Sequence, residues 1–309
     1  MKILVTGGAG FIGSNLVEKL VKDKNEVVVL DNLHSGSLTN LKDVMEKVQF
    51  VHGSCSNVYH FVGVPDVDLI IHLGMASSSP MYKENPLLFG DVINGAINVF
   101  EFAKKKGIKK VIYASSSSLY NSLNPPHHES MKIEVTDFYT EARLGVERIA
   151  QLYYNLYGIT SVGLRLFSVY GMHEEAKGKY ANIISQFLWE MQGGKSPVIY
   201  GNGEQRRDFT FVDDIVDAFT SFIPTDVGCE IYNVGTGISH SFNEVVEVLN
   251  AKLGTKITPA YIEMPMKNYV DRTLSDTIKM NGTGYRAKYT LETGIDKLLN
   301  AHKCVSKVR

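Results

Sequence analysis

The chain begins with an apolar run that breaks into glycines, Met1-Lys-Ile-Leu-Val-Thr-Gly-Gly-Ala-Gly-Phe-Ile-Gly13, and then enters a helical pattern. No other stretch limits the possible folds so tightly. Gly7 turns the chain, Gly10 lets backbone amides approach an anion, and Gly13 seats a helix against a strand. The N-terminus of the helix that follows, with its unpaired N–H groups and partial positive charge, suits a diphosphate. A glycine triplet is a weak signal in isolation. Here its setting supports it: residues 2–5 read as a strand, residues 14–22 place Leu16, Val17, Leu20 and Val21 at helical spacing, and a second strand at 26–30 leads into Asp31. A carboxylate at that strand tip accepts hydrogen bonds from ribose hydroxyls and repels a 2′-phosphate, so Asp31 favours NAD over NADP.

Bulk properties exclude several classes of partner. A formal net charge of −1 gives no field to draw in nucleic acid or an anionic membrane. Cys55, Cys229 and Cys304 are odd in number and lack metal-ligand spacing, which suits a reducing cytoplasm. The glycine loop starts almost at Met1, and no apolar stretch reaches membrane-spanning length, so neither a signal peptide nor a membrane anchor is expected. His127 and His128 follow two prolines and have no third ligand nearby, so they read as solvated and no metal is expected. Trp189 shares a helical pattern with Phe187 and Leu188 and reads as core, while Lys104, Lys105 and Lys106 before Gly107 read as a helix end.

Strand and helix patterns alternate along the first half, with further strands at 67–73 and 110–114 and a helix at 92–106. That alternation predicts an α/β fold, a doubly wound parallel sheet of the Rossmann kind with helices on both faces. Past about residue 170 the pattern loosens. Residues 177–179, 192–197 and 201–207 read as loops of a smaller α/β lobe over the strand ends, whereas a helix at 213–222 and a strand at 230–234 return to the sheet. The expected division is residues 1–168 with a return segment 211–235 for the dinucleotide, and 169–210 with 236–309 for the second lobe. With 309 residues the chain can bury a core for each.

Oxidation of a carbinol beside a nicotinamide needs a base, and a tyrosine near a cation is one solution. Tyr139 lies four residues before Arg143 at the start of a helical pattern, which puts both on one face. With sixteen tyrosines such spacing also arises by chance. The serine cluster Ala114-Ser-Ser-Ser-Ser-Leu-Tyr120, at the end of a predicted strand, adds hydroxyls able to donate to a substrate oxygen or to hold the tyrosine, although a plain polar turn reads equally well there.

These residues resemble the extended short-chain dehydrogenase/reductases. Thr6-Gly-Gly-Ala-Gly-Phe-Ile-Gly13, Asp31-Asn-Leu with Ser35-Gly36, His72-Leu73, the serine cluster, Tyr139 and Arg165-Leu-Phe-Ser-Val-Tyr-Gly171 carry the likeness. It continues through the segments 199–214, 232–237 and 272–276, and is greatest to the UDP-sugar 4-epimerases of the UDP-galactose type. The resemblance implies a tightly held NAD bound by Gly7, Gly10, Phe11, Ile12, Gly13, Asp31, Asn32, Ser35, Gly36, Ser54, Leu73, Tyr139 and Arg143. Tyr139 would deprotonate the sugar 4-hydroxyl with Ser116 beside it, flanked by Ser117 and Ser118, and the 4-keto sugar would turn over before its hydride returned. Ser116, Ser168, Arg207 and Arg272 would hold the UDP-sugar, and pairing through the helices around 92–102 and 144–157 would give a homodimer.

Departures from the family pattern bear on rate and substrate. Arg143 stands for the usual lysine, Ser54 for an aspartate, Met75 for an alanine, Ser168 for an asparagine and Asn121 for a glycine. Between Ser116 and Tyr120 there is no carboxylate of the kind sister dehydratases carry, and Pro80 replaces the arginine of uronic-acid epimerases, so a neutral sugar is expected. Thr273, a small residue, would leave room for an N-acetyl group. Two alternatives stay open at this level: a reductase or dehydrogenase with an exchangeable cofactor, and a dinucleotide-binding module impaired by Arg143.

Overall fold

The computed structural model describes residues 1–121, 123–263 and 270–306, with side chains as far as residue 301; the Cys304 side chain and, from the expected second lobe, residues 264–269 and 307–309 lie outside the described residues. Within it, seven parallel strands form one sheet: β1 (Lys2–Thr6), β2 (Glu26–Asp31), β3 (Val48–His52), β4 (Leu69–His72), β5 (Lys110–Ser116), β6 (Thr160–Leu166) and β7 (Cys229–Val234). Their spatial order is β3-β2-β1-β4-β5-β6-β7. The order reverses at β1, and such a switch leaves a crevice beyond the carboxyl ends of the strands. Register brings Thr6 opposite both Leu30 and His72, and His72 opposite Tyr113, so the residues after these positions converge on that crevice.

Both sheet faces are covered, which explains the unbroken apolar runs in β1 and β2. Ile3, Val5, Val27 and Val29 face helices α1 (Phe11–Lys22) and α6 (Val212–Ser221) through Leu16, Leu20, Ile215 and Phe219. Leu4, Val28 and Leu30 belong to the opposite core, shared with α3 (Leu88–Lys106) and α4 (Phe138–Tyr157), which follow the short α2 (Ser79–Glu84). A third core gathers Tyr170, Ile184, Phe187, Phe211 and Phe242 around α5 (Ile183–Gln192) and α7 (Phe242–Leu253). Phe11, the first residue of α1, inserts into this third core and ties the helix after the glycine loop to the smaller elements.

Expected elements are present with shifted ends: α1 starts at Phe11 rather than 14, α3 at Leu88 rather than 92, and β5 runs on to Ser116. Residues 177–179 lie in a 3-10 segment, Glu175–Tyr180, rather than in open loop. Two readings of single residues need correction. Trp189 is only half-buried, because it lies on the flank of α5 while Phe187 and Leu188 take the core. His127 is buried, not solvated: its ring stacks on Tyr120 at 4.9 Å, and its Nε2 lies 3.1 Å from the Leu123 carbonyl. His128 is exposed. Among the described residues no His, Cys, Asp or Glu cluster is arranged to hold a metal, and no helix is long and apolar enough to cross a membrane.

Candidate active site

A cleft of about 500 Å³ runs along the carboxyl ends of β1, β2, β4 and β5, and the glycine loop forms its floor. Gly7 has φ +71°, and a Cβ there would stand 2.7 Å from the Leu73 carbonyl. At Gly13 a Cβ would fall 2.0 Å from the Gly7 carbonyl oxygen, backbone against backbone. Gly10 is different: its Cβ would meet only the Gly7 oxygen, at 3.1 Å, so the side facing the cleft is open. Gly10 is also the N-cap of α1, and no side chain caps that helix. The donors at its start are therefore turned to the cleft, a good fit to a dinucleotide diphosphate.

Asp31 ends β2 on the cleft wall, beside Asn32, Ser35 and Gly36. Its carboxylate accepts from the Ala9 amide at 2.9 Å and the Leu33 amide at 2.7 Å, so it braces the glycine loop as well as facing the cleft. Burial raises its pKa, and the backbone donors oppose that shift. Leu73 and Ser54 line the same wall, where Ser54 shares a hydrogen bond with Ser56 at 2.9 Å. Beneath the floor, Thr6 Oγ1 accepts from the amides of Leu73 and Gly74, which leaves its proton for His72 Nδ1 at 2.7 Å. That assignment makes His72 the Nε2–H tautomer. Complete burial, with Arg143 contributing, pushes its pKa down to about 3.

Opposite the floor stands α4, whose start is fixed by a capping box between Asp137 and Thr140. Tyr139 is in the first turn, and its hydroxyl donates to Ser116 Oγ at 3.1 Å. Ser116 ends β5 and accepts in addition from the Ser118 amide, which shapes the 3-10 turn Ser117–Tyr120. Tyr82 packs edge-on against Tyr139 with ring centroids 5.4 Å apart. One turn further on, the Arg143 guanidinium lies 5.0 Å from the Tyr139 ring centroid. Its fork is anchored to the loop after β4: Nη2 donates to the Ala76 carbonyl at 2.6 Å and Nη1 to Met75 Sδ at 2.8 Å. Tyr139 and Arg143 are both buried and both line the cleft, together with Ser116, Ser117 and Ser118.

Ser168 and Arg207 complete the far wall. Arg272 is not among the lining residues; its Nε turns toward Ser239 Oγ at 3.3 Å, while the adjacent Thr273 faces the cleft. Lys177, Tyr180 and Asn182, which no sequence motif marks, also line it. They sit in a charged, glycine-containing stretch without periodicity, so the sequence carried no signal for them.

Residues 3–235 match the NAD dependent epimerase/dehydratase family. The chain belongs to that family. Among curated proteins it is 34% identical to a putative UDP-glucose 4-epimerase of Methanocaldococcus jannaschii, over 96% of this chain and 97% of the relative. Among solved structures it is similar to the UDP-glucose 4-epimerase of Thermotoga maritima with UDP-glucose, at TM-score 0.92 and 28% identity, with 99% of each chain covered. The UDP-N-acetylglucosamine 4-epimerase of Methanobrevibacter ruminantium, in complex with UDP-N-acetylmuramic acid, gives TM-score 0.89 and 29% identity over 97% of this chain and 98% of that one. Fold class and NAD dependence thus agree with the family that the sequence motifs resemble.

Proposed function

We propose that this protein is an NAD-dependent 4-epimerase of UDP-hexoses. The observation that carries the reading is the Tyr139 hydroxyl, 3.1 Å from Ser116 Oγ, on the wall of a cleft whose floor is the glycine loop. Gly7, Gly10, Phe11, Ile12, Gly13, Asp31, Asn32, Ser35, Gly36, Ser54 and Leu73 would hold NAD, with Tyr139 and Arg143 at its reactive end. When bound, NAD supplies a hydride acceptor that can return what it takes.

The chain's own residues handle the proton. Tyr139 takes it from the sugar 4-hydroxyl, and Ser116, already hydrogen-bonded to that phenol, keeps the oxygen in line. Tyr139 accepts that proton as the phenolate, and Arg143 offers its charge to this anion from a position fixed by Ala76 and Met75. Arg207, on the far wall, suits a nucleotide diphosphate, and Arg272 would have to swing from Ser239 to join it. Only hydroxyls and Leu119 separate Ser116 from Tyr120, so this segment holds no acid for eliminating water from a keto sugar. Thr273 is small and faces the cleft, in support of N-acetylhexosamines as further substrates.

The division of labour we favour is residues 1–168 with 211–235 for the cofactor, and 169–210 with 236–309 for the UDP-sugar. Leu152, Leu156 and Tyr157 on α4 and Ile97 on α3 are exposed, which supports a homodimer formed through these helices. The free thiols of Cys55 and Cys229 suit the cytoplasm. The test is incubation with UDP-glucose and with UDP-N-acetylglucosamine, then chromatographic separation of the 4-epimers and a record of nicotinamide absorbance. Conversion without net absorbance change is the expected result. Stoichiometric consumption of added NADH, or no conversion of either sugar, would overturn the reading.

A further inference from the structure

Residues 174–182 leave the third core, cross the mouth of the cleft and return to α5. Glu174 roots this strap: it is fully buried, and its carboxylate accepts from the Asn182 amide and the Ser185 hydroxyl, each at 2.7 Å, and from Lys177 Nζ at 3.0 Å. The far end is clasped to the opposite side of the cleft. There Lys179 Nζ reaches Glu84 at the end of α2, at 2.7 Å, and the Tyr180 hydroxyl donates to the same carboxylate. The Tyr180 ring packs on the core that α3 and α4 share.

Lys177 lies between these two fixings and turns inward. Its side chain is only 14% exposed, and it lines the cleft with Gly10, Phe11, Ile12 and Gly13. Its ammonium sits 5.3 Å from the centroid of the Phe11 ring, the first residue of α1. Of the three donors on an ammonium, Glu174 takes one, and the Phe11 ring is its other partner among the described residues. Glu174 already has two neutral donors, so placing a cation here does more than satisfy a carboxylate. The charge stands beside the helix end where α1 amides converge, and a lysine is a compact, movable point charge well suited to phosphate.

We propose that Lys177 binds the cofactor's diphosphate, carried there from the smaller lobe by a strap clasped across the cleft. This rests on the NAD reading above. The diphosphate is then held from below by the amides of α1 and from above by an ammonium, and NAD leaves only when the strap lets go of Glu84. A UDP-sugar carries the same chemical group, but the neighbour of Lys177 is Phe11 on the cofactor side.

The test compares purified holoenzyme with Lys177→Gln, whose amide can still donate to Glu174, and with Lys177→Arg. Exchange of bound NAD against isotopically labelled NAD is followed by gel filtration, and UDP affinity is measured by calorimetry on the same preparations. Loss of one charge-assisted hydrogen bond should speed exchange about tenfold or more in Lys177→Gln. Lys177→Arg should restore slow exchange, and UDP affinity should stay within about twofold in both. Unchanged exchange in Lys177→Gln overturns the proposal, as does weakened UDP binding with unchanged exchange, which gives the lysine to the substrate instead. Glu84→Gln provides a second arm outside the cleft: it should also speed exchange, and no change would refute the clasp. A wild-type protein that holds NAD but interconverts no UDP-sugar would sink the 4-epimerase reading and leave this test intact.

Discussion

The ion pair between Glu147 on α4 and Arg165 on β6 offers the sharpest energetic prediction. Both side chains are nearly sealed from solvent, at 8% and 5% exposure. Arg165 donates in fork geometry, Nε to Oε1 at 2.9 Å and Nη2 to Oε2 at 2.7 Å, and Ser115 Oγ adds a third donor to Oε1 at 2.6 Å. The remaining arm of the guanidinium, Nη1, donates to the Tyr120 hydroxyl at 2.7 Å. Glu147→Gln keeps the shape, removes the charge and turns an amide donor toward a guanidinium donor. Breaking one side of such a pair costs about 3–5 kcal/mol, because the surviving charge stays buried. An unfolding entropy of about 2.1 cal/mol/K per residue gives about 0.65 kcal/mol/K for a chain of 309 residues, so Tm should fall by about 5–8 °C. Thermal and urea denaturation followed by circular dichroism measure the loss. The double variant Glu147→Leu with Arg165→Met should recover most of it, since two apolar groups leave no stranded charge. A loss under about 1 kcal/mol in Glu147→Gln, or a double variant no more stable than the summed singles, would refute the assignment of the cost to an uncompensated charge.

Tyr139→Phe removes the proposed base and should lower kcat for UDP-galactose by about 10²–10⁴-fold, with bound NAD retained; more than about a tenth of wild-type turnover would remove Tyr139 from that role. Gly13→Ala sets a Cβ 2.0 Å from the Gly7 carbonyl oxygen, so the protein should emerge from purification without NAD, as read by chromatography of heat-released nucleotide; normal NAD content would contradict the floor geometry. His72 is held neutral in the folded protein, with its pKa depressed from 6.5 to about 3, so the unfolded chain binds the extra proton. Stability is therefore complete above about pH 6.5 and falls on acidification toward pH 3 by up to about 1.4 kcal/mol per unit. His72→Asn, whose amide oxygen can accept from Thr6, should flatten that acid limb in urea titrations, and an unaltered limb would assign the sensitivity to other groups.

The elements legible in the sequence were those whose pattern serves a single purpose. β1, α1 and β2 showed because parallel strands buried on both faces read as apolar runs and the glycine spacing punctuates them. β3 did not, because it is an edge strand of five residues with no buried side chain, so its pattern has no clear period. β6 was masked by a glycine and by Arg165, a charge that becomes a core residue only because Glu147 meets it from another element. The same limit applies to the site. Every predicted residue but Arg272 lines the cleft, while Lys177 lay hidden because what turns it inward is Glu174 at its root and Glu84 across the cleft.

Two departures that look independent in the sequence prove to be one structural feature. Arg143 follows Tyr139 by one helical turn, and Met75 lies 68 positions away in the loop after β4, yet the guanidinium fork rests on Met75 Sδ and on the neighbouring Ala76 carbonyl. A short ammonium would meet that loop at one point, whereas the planar fork engages it at two and fixes the direction of its charge. With both terminal nitrogens engaged on the wall, what Arg143 presents to Tyr139 is charge, 5.0 Å from the ring centroid. An arginine at this place is thus matched by its surroundings and need not be a mark of decay: the same loop that shapes the cleft wall has taken on the task of aiming it.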